Sequence, residues 1–359
     1  MRVIQLLPVL AYGDAIGNDT IALKAALAKA GYESEIYAEV IDDRLPKGTA
    51  RQVEELKVKK KDILFYHLST CSKLNYKLEE YDCRRMILYH NITPPQFFEG
   101  INDDVKKNCQ DGLDGAVHLA DKVEYAMADS EFNKQDLIRM GYKCSVDVLP
   151  ILIAFEDYAK KPSKKVLNTY DDEITNIIFT GRVAPNKKQE DVIRAFHFYH
   201  KELNPASRLF IVGSYSGMEQ YYGMLQEYVE RLGLEESVYF TGHIKFDEIL
   251  AYYKLADLFL CMSEHEGFCV PLVEAMYFNT PIVAYDSSAV GETLGGSGFL
   301  LDRKDPVETA MVMDRILKTP ELKEKILENQ KARLKYFDNS KIEEQFINLM
   351  EKYVKEVRQ

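Results

Sequence analysis

Residues 257–276 read DLFLCMSEHEGFCVPLVEAM. Asp257 to Met262 is a short apolar run of the kind that forms a buried parallel strand, and Pro271 suits a first helical turn, where its missing N–H costs nothing. Gly267 to Val270 is therefore a strand-to-helix loop. In an open α/β sheet such loops lie at the carboxyl edge of the strands, where helix-start amides and the positive end of the helix dipole favour an anion, phosphate above all. Glu266 and Glu274 stand on either side of this loop. Carboxylates beside an anion site need another partner, and sugar hydroxyls supply one.

Outward from this stretch, apolar β-rich runs alternate with helix-period segments along the whole chain, the pattern of parallel sheets wound with helices. Strands are expected near Val3–Val9, Ser34–Ala38, Ile63–His67, Met86–His90, Tyr125–Ala128 and Val146–Leu149. A second set follows near Ile177–Thr180, Leu209–Val212, Val238–Thr241, Leu258–Cys261 and Ile282–Tyr285. Between the sets, Glu156 to Asp172 is polar, rich in lysine and without periodicity, and the domain boundary is expected there. From Pro320 onward the sequence is charged and helical, a tail suited to packing across a domain. The 359 residues, 46% of them hydrophobic, exceed one ordinary core and suit two.

A net charge of −11 opposes non-specific binding to nucleic acid or to an anionic membrane. The six cysteines show no Cys-x-x-Cys spacing and no nearby histidine pattern, which argues against a zinc site or a redox pair and for reduced thiols. The opening MRVIQLLPVLAYGD reads as a first strand and not a signal peptide, and no apolar run approaches bilayer length. A cytoplasmic location is expected.

Three further groups carry chemical meaning. Gly181-Arg182-Val183-Ala184-Pro185-Asn186-Lys187 follows an expected strand, so Arg182 and Lys187 would stand on the same sheet edge as the Glu266 loop, where a guanidinium fork and an ammonium can clamp a diphosphate. The loop Tyr12-Gly13-Asp14-Ala15-Ile16-Gly17 has glycines that could admit a phosphate or serve only the turn; it matches neither Gly-x-Gly-x-x-Gly nor a Walker loop. His90 ends a strand before Asn91-Ile92-Thr93-Pro94-Pro95 and could reach a cleft or cap the turn. The remaining histidines His67, His118, His197 and His200 read as structural or surface residues. No Asp-x-Asp pair is present, so no metal is expected on a diphosphate, whose charge would fall to the protein.

The Gly13 loop, His90, Ser130-Glu131-Phe132, Gly181-Arg182 to Lys187, Phe240-Thr241-Gly242 and above all Glu266 to Glu274 together resemble the retaining glycosyltransferases of family four. The resemblance implies the GT-B fold, an α/β architecture of two Rossmann-like, doubly wound parallel-sheet domains facing a cleft. It sets an acceptor-binding domain at 1–158, a nucleotide-sugar-binding domain at 173–338, and a C-terminal helix at 339–359 that returns to the first. Glu274 would bind the ribose and Glu266 would lie near the hydroxyls of the transferred sugar. Arg182, Lys187 and the amides of Gly267, Phe268, Cys269 and Val270 would hold the diphosphate. The base would rest near Gly242, His243 and Ile244. Gly13, with Asp14 and Gly17, would approach from the opposite domain, and His90 would meet the sugar or its phosphate.

Two positions depart from the family pattern: Cys269 replaces a common glycine, and Asp14 replaces the second of two adjacent glycines. The implied activity is transfer of a hexosyl unit from a uridine or guanosine diphosphate sugar to a hydroxyl of a saccharide or lipid-linked acceptor, with retention, in polysaccharide or glycoconjugate synthesis. No cofactor, no nucleic acid and at most peripheral membrane contact are expected. A sugar-nucleotide epimerase of the same shape and a non-catalytic sugar-nucleotide-binding subunit are the alternatives.

Overall fold

The computed structural model describes residues 1–356, so the last three residues of the expected helix 339–359 lie outside the described residues. The chain divides into two compact units. The first comprises Met1–Gln96, Asp104–Ala154 and the segment from Phe337 onward; the second comprises Phe97–Asp103 and Phe155–Tyr336.

The first unit holds seven strands, β1 (Arg2–Leu10), β2 (Glu33–Ile41), β3 (Arg51–Gln52), β4 (Ile63–Leu68), β5 (Arg84–Tyr89), β6 (Tyr125–Ala128) and β7 (Ser145–Val148). They lie in the order β3-β2-β1-β4-β5-β6-β7 and every pairing is parallel. The second unit holds β8 (Thr175–Thr180), β9 (Ser207–Val212), β10 (Val238–Gly242), β11 (Leu258–Cys261), β12 (Ile282–Tyr285) and β13 (Phe299–Leu301). Their order is β10-β9-β8-β11-β12-β13, again all parallel. Central strands such as ILFYHL in β4 are buried along their whole length, as parallel strands covered on both faces must be.

Both orders reverse direction at one place, between β1 and β4 in the first sheet and between β8 and β11 in the second. At such a reversal the connecting chains leave to opposite sides, and the carboxyl ends of the two strands open a crevice. The loops after β1, β4, β8 and β11 therefore border the two crevices.

Three features differ from the sequence expectation. β3 and β13 are short edge strands with exposed residues, held by pairing such as Tyr37 with Arg51 and not by any local pattern. The stretch 156–172 is not structureless. It forms helices Phe155–Tyr158 and Lys164–Tyr170, pinned by aromatic side chains: Tyr158 packs against Tyr277, Phe278 and Phe246, and Tyr170 against Phe210 and Arg208. A few large rings give anchorage without periodicity, which is why the pattern conceals it. The units also part at Ala154 and Phe155, slightly ahead of the expected boundary.

The helix Asn339–Glu356 belongs to the core of the first unit. Ile342, Phe346, Met350 and Tyr353 recur at helical spacing and are buried with Val3, Leu23, Phe65 and Met86, and the Phe346 ring stacks on Phe65 with centroids 5.7 Å apart. Among the described residues no helix is long and apolar enough to cross a membrane. Phe346→Ala leaves a large void in this core and is expected to cost about 3–5 kcal/mol of unfolding free energy. A urea unfolding midpoint unchanged from wild type would show that the helix contributes nothing there.

Candidate functional site

In the second unit the β8 end is shaped by close backbone approach. A Cβ on Gly213, at φ +153°, would sit 2.0 Å from the Gly181 carbonyl, so glycine is required where the chains following β8 and β9 meet. Past this contact a single 3₁₀ turn, Pro185–Lys187, presents Lys187. Asn186 ties the turn to the β11 loop: its side-chain amide donates to the His265 carbonyl at 3.0 Å, and its own carbonyl accepts the Glu264 N–H at 2.8 Å.

This brace brings Lys187 onto Glu266, with Nζ donating to Oε2 at 2.5 Å. The Glu266 N–H in turn donates to Ser288 Oγ at 2.8 Å, so loops after β8, β11 and β12 fix one ion pair. Burial would lower the Lys187 pKa, but the Glu266 carboxylate outweighs it and the net direction is up, so the ammonium is held charged. The side chains are 22% and 9% exposed, which leaves an edge of the pair facing solvent. Lys187 is thus matched with Glu266 and not open as the sequence suggested, although an ammonium has two more protons to donate. Arg182 stands apart from the pair: it is exposed, and Nη2 donates to the Ser216 carbonyl at 3.1 Å.

Beyond the loop, the helix Val270–Tyr277 starts from Cys269 at φ 72°, ψ 63°, with Pro271 in the first turn and no side chain capping it. Glu274 falls in the second turn of this helix. Its Oε1 accepts from Tyr158 at 3.0 Å and its Oε2 from Tyr253 at 2.7 Å. Burial raises the Glu274 pKa, and the two phenolic donors pull it back only in part. Phe268 and Cys269 are buried, whereas Gly267 and Val270 are half-buried. Burial holds His265 neutral, with its pKa lowered to about 4 despite the neighbouring Glu266. Gly242 ends β10 at φ 64°, Tyr215 lies where a Cβ would point, and His243 beyond it is exposed and Ile244 half-buried.

In the first unit a polar residue within β1 and three at or just past the ends of β4, β5 and β6 join into a buried line. Gln5 Oε1 meets His67 Nε2 at 3.0 Å, His67 Nδ1 meets His90 Nε2 at 2.9 Å, and His90 Nδ1 meets Asp129 Oδ2 at 3.0 Å. Gln5 Nε2 donates to the Thr20 carbonyl, so its Oε1 must accept and His67 Nε2 carries the proton. His67 Nδ1 then accepts from His90 Nε2, and one proton lies between His90 Nδ1 and Asp129 Oδ2, whose carboxyl burial also pushes up. The directions of the pKa shifts agree: burial and the His90 charge drive His67 well down, whereas for His90 the Asp129 carboxylate overcomes burial and raises it. The His90 side chain is 0% exposed and both its nitrogens are engaged, so it shows none of the access that a strand-end position suggested. His67, read as a bystander, is its direct partner. The signal lay in the register, which aligns His67 with Leu88 and so places His67 and His90 on one face.

Asp14 is a helix cap. Its Oδ2 accepts from the N–H groups of Ile16 and Gly17 at 3.2 and 3.3 Å, satisfying donors at the start of helix Ala15–Lys29. Gly13 is exposed at φ +74°. Gly17 is buried, and a Cβ there would meet the Ala11 carbonyl at 2.7 Å, which gives this glycine a packing reason.

Two doubly wound parallel-sheet units, the second with a charged pair and an uncapped helix start at its reversal point, define the GT-B class of protein. The sequence profile of the family described as glycosyl transferases group 1 matches residues 160–333, and that stretch of the chain belongs to this family. O-antigen chain mannosyltransferase B of Escherichia coli is 24% identical over 206 residues, 56% of this chain and 51% of that protein. Mannosylfructose-phosphate synthase of Agrobacterium fabrum is 32% identical over 111 residues, 30% of this chain and 24% of that protein. The chain thus matches at most about half the length of these curated relatives. Among solved structures, Anabaena HepE in complex with UDP-glucose superposes with a TM-score of 0.77, at 17% identity and covering 98% of this chain and 100% of that one. Sucrose-phosphate synthase from Thermosynechococcus elongatus gives 0.75 at 16% identity, covering 98% and 99%. At these identities the structural likeness speaks for the fold.

Asp19 lies against the imidazole line, with Oδ1 accepting the Leu152 N–H at 2.8 Å. Burial pushes its carboxyl from the usual 3.8 up to about 7, with the His90 charge opposing and Asp129 adding to the rise. Folded Asp19 therefore keeps a proton that the unfolded chain releases near 3.8, and stability falls as pH rises from there to about 7. Asp19→Asn keeps an oxygen for Leu152 and removes this dependence. The variant is expected to gain about 2–3 kcal/mol on wild type between pH 5 and pH 8. An unfolding free-energy difference that stays flat over that range would contradict the assignment.

Proposed function

We propose that this chain is a retaining hexosyltransferase that takes a nucleoside diphosphate sugar as donor and a hydroxyl of a saccharide or lipid-linked molecule as acceptor. The observation that carries this reading is the Lys187–Glu266 pair at the reversal of the second sheet, beside the uncapped start of helix Val270–Tyr277. That combination offers a cation and helix-start amides to a diphosphate, and a carboxylate to sugar hydroxyls, within one crevice. The family over residues 160–333 supports it, as do relatives named for mannosyl transfer and a solved neighbour holding UDP-glucose. Both uridine and guanosine donors fit.

In this mechanism bond breaking leads, and an oxocarbenium-like sugar develops against a departing diphosphate. Lys187, kept protonated by Glu266, turns its remaining protons to the diphosphate, and Arg182 contributes its guanidinium from the same strand end. A phosphate oxygen on the same face takes the acceptor proton, which leaves no protein base to assign and accounts for retention. Glu274, held by two tyrosines, receives the ribose hydroxyls on its remaining lone pairs. The charge on the diphosphate is met by protein groups without a metal.

The donor is found by thermal shift with a panel of nucleoside diphosphate hexoses, since a ligand at about 100 times its Kd stabilises by about 2.7 kcal/mol. Product analysis with the stabilising donor then tests transfer: a new glycoside of retained anomeric configuration is expected, and conversion of the sugar nucleotide without an acceptor would replace transfer by epimerisation. Lys187→Ala or Arg182→Ala is expected to lower turnover on the order of 10² to 10³, the loss seen when one preorganised charge-stabilising donor is removed. Near-normal turnover by both variants would remove the clamp from the mechanism.

A further inference from the structure

The sequence spacing gave Cys261 and Cys269 no relation to each other. The fold brings them together, because Cys261 ends β11 and Cys269 starts the helix that returns along it. Both sulfurs lie with a Glu266 carboxylate oxygen inside a triangle whose sides are all within 4.8 Å, and the Cys261 thiol donates to Ser263 Oγ at 3.5 Å. All three residues are buried. We propose that Cys261, Glu266 and Cys269 form a binding site for a thiophilic divalent cation of the Zn²⁺ class, and that its occupation excludes the sugar-nucleotide donor.

The distances suit such an ion. Zn–S bonds of about 2.3 Å and Zn–O bonds of about 2.1 Å in tetrahedral geometry separate the ligand atoms by roughly 3.6–3.8 Å, within the observed triangle. The ligand set is one that borderline-soft cations prefer over Mg²⁺ or Ca²⁺. Two ligands sit on rigid ends, a strand terminus and a helix start, and the third is anchored through its backbone to Ser288. Lys187 donates to Glu266 Oε2, the outer-shell contact that orients a ligating carboxylate. Charge also balances. Two thiolates and one carboxylate carry −3, the ion and Lys187 carry +3, and binding releases two thiol protons to solvent.

Cys269 explains how the site arises. At φ 72° it occupies a left-handed conformation that suits glycine and strains a residue with a Cβ. Glycine would relieve that strain and remove one ligand. A bound cation would draw Glu266 away from any sugar hydroxyl, and this part of the inference rests on the function proposed above. The cation site itself does not.

Co²⁺ is the probe, added to the full chain after reduction and removal of metal. One Co²⁺ per chain is expected, with thiolate-to-cobalt charge-transfer absorption that Zn²⁺ abolishes by displacement. Cys261→Ala and Cys269→Gly should each lose the band, and two separate variants guard against one that does not fold. Cys83→Ala, in the first unit, should keep it. Lys187→Ala should weaken Co²⁺ binding about 10–100-fold through loss of the outer-shell contact. Absence of the band in wild type, or its survival in both site variants, overturns the proposal. Zn²⁺ should also abolish the donor-induced thermal shift in wild type, a chelator should restore it, and Cys261→Ala should be indifferent; a shift untouched by saturating Zn²⁺ overturns the exclusion of donor. Should the metal-free protein bind no sugar nucleotide at all, the donor reading fails while the cobalt spectrum still decides the cation site.

Discussion

A parallel sheet that is wound in both directions from its middle cannot close its carboxyl edge at the point of reversal, and most of what is chemical in this protein follows from that constraint. In the second unit the reversal lies between β8 and β11. Lys187 leaves the first of these strands and Glu266 the second, so their meeting is dictated by topology and fixed by the braces of Asn186 and Ser288. Taking two charges partly out of water is costly unless they meet with good geometry and further hydrogen bonds. Here the surrounding loops supply both. Removal of either partner would leave the other buried without a counter-charge, so the pair positions the loops as much as it serves chemistry.

The first unit uses its reversal differently. Gln5 within β1, and His67, His90 and Asp129 at or just past the ends of β4, β5 and β6, form one hydrogen-bonded row across the sheet. Gln5 at one end and Asp129 at the other fix the direction of the row, with every nitrogen of His67 and His90 engaged. The neighbouring Asp19 is buried beside this row, and it is chiefly that burial, against the pull of His90, that raises its carboxyl to about 7.

The α/β class, the two sheets and the central strands were legible because their signals are local: apolar runs of strand length, proline at a helix start, glycine in tight loops. The Glu266 loop was legible for the same reason, since helix-start chemistry is written in adjacent residues. Burial by a few dispersed rings was not, so the helices around Tyr158 and Tyr170 went unseen, as did Tyr158 and Tyr253 as partners of Glu274. Edge strands β3 and β13 depend on a neighbour for their pairing and carry no pattern of their own. The roles of His67, Asp19 and Cys261 were hidden for a related reason: each depends on strand register or on a loop closing, and neither has a fixed sequence spacing. Asp14 is an instructive case, because a residue suspected of addressing a ligand is occupied in capping its own helix.

The helix Asn339–Glu356 sets the order in which the molecule can be made. Its Phe346 completes a core begun by Val3 and Phe65, so the first unit lacks a wall until about 280 further residues have been synthesised, a delay of roughly 15 to 60 seconds at ordinary elongation rates. During that interval Phe65, Met86 and Leu88 form an apolar trough with no cover, while the second unit, whose strands all precede the helix, can fold to completion. The core of the first unit is therefore completed only after every strand of the second has been synthesised.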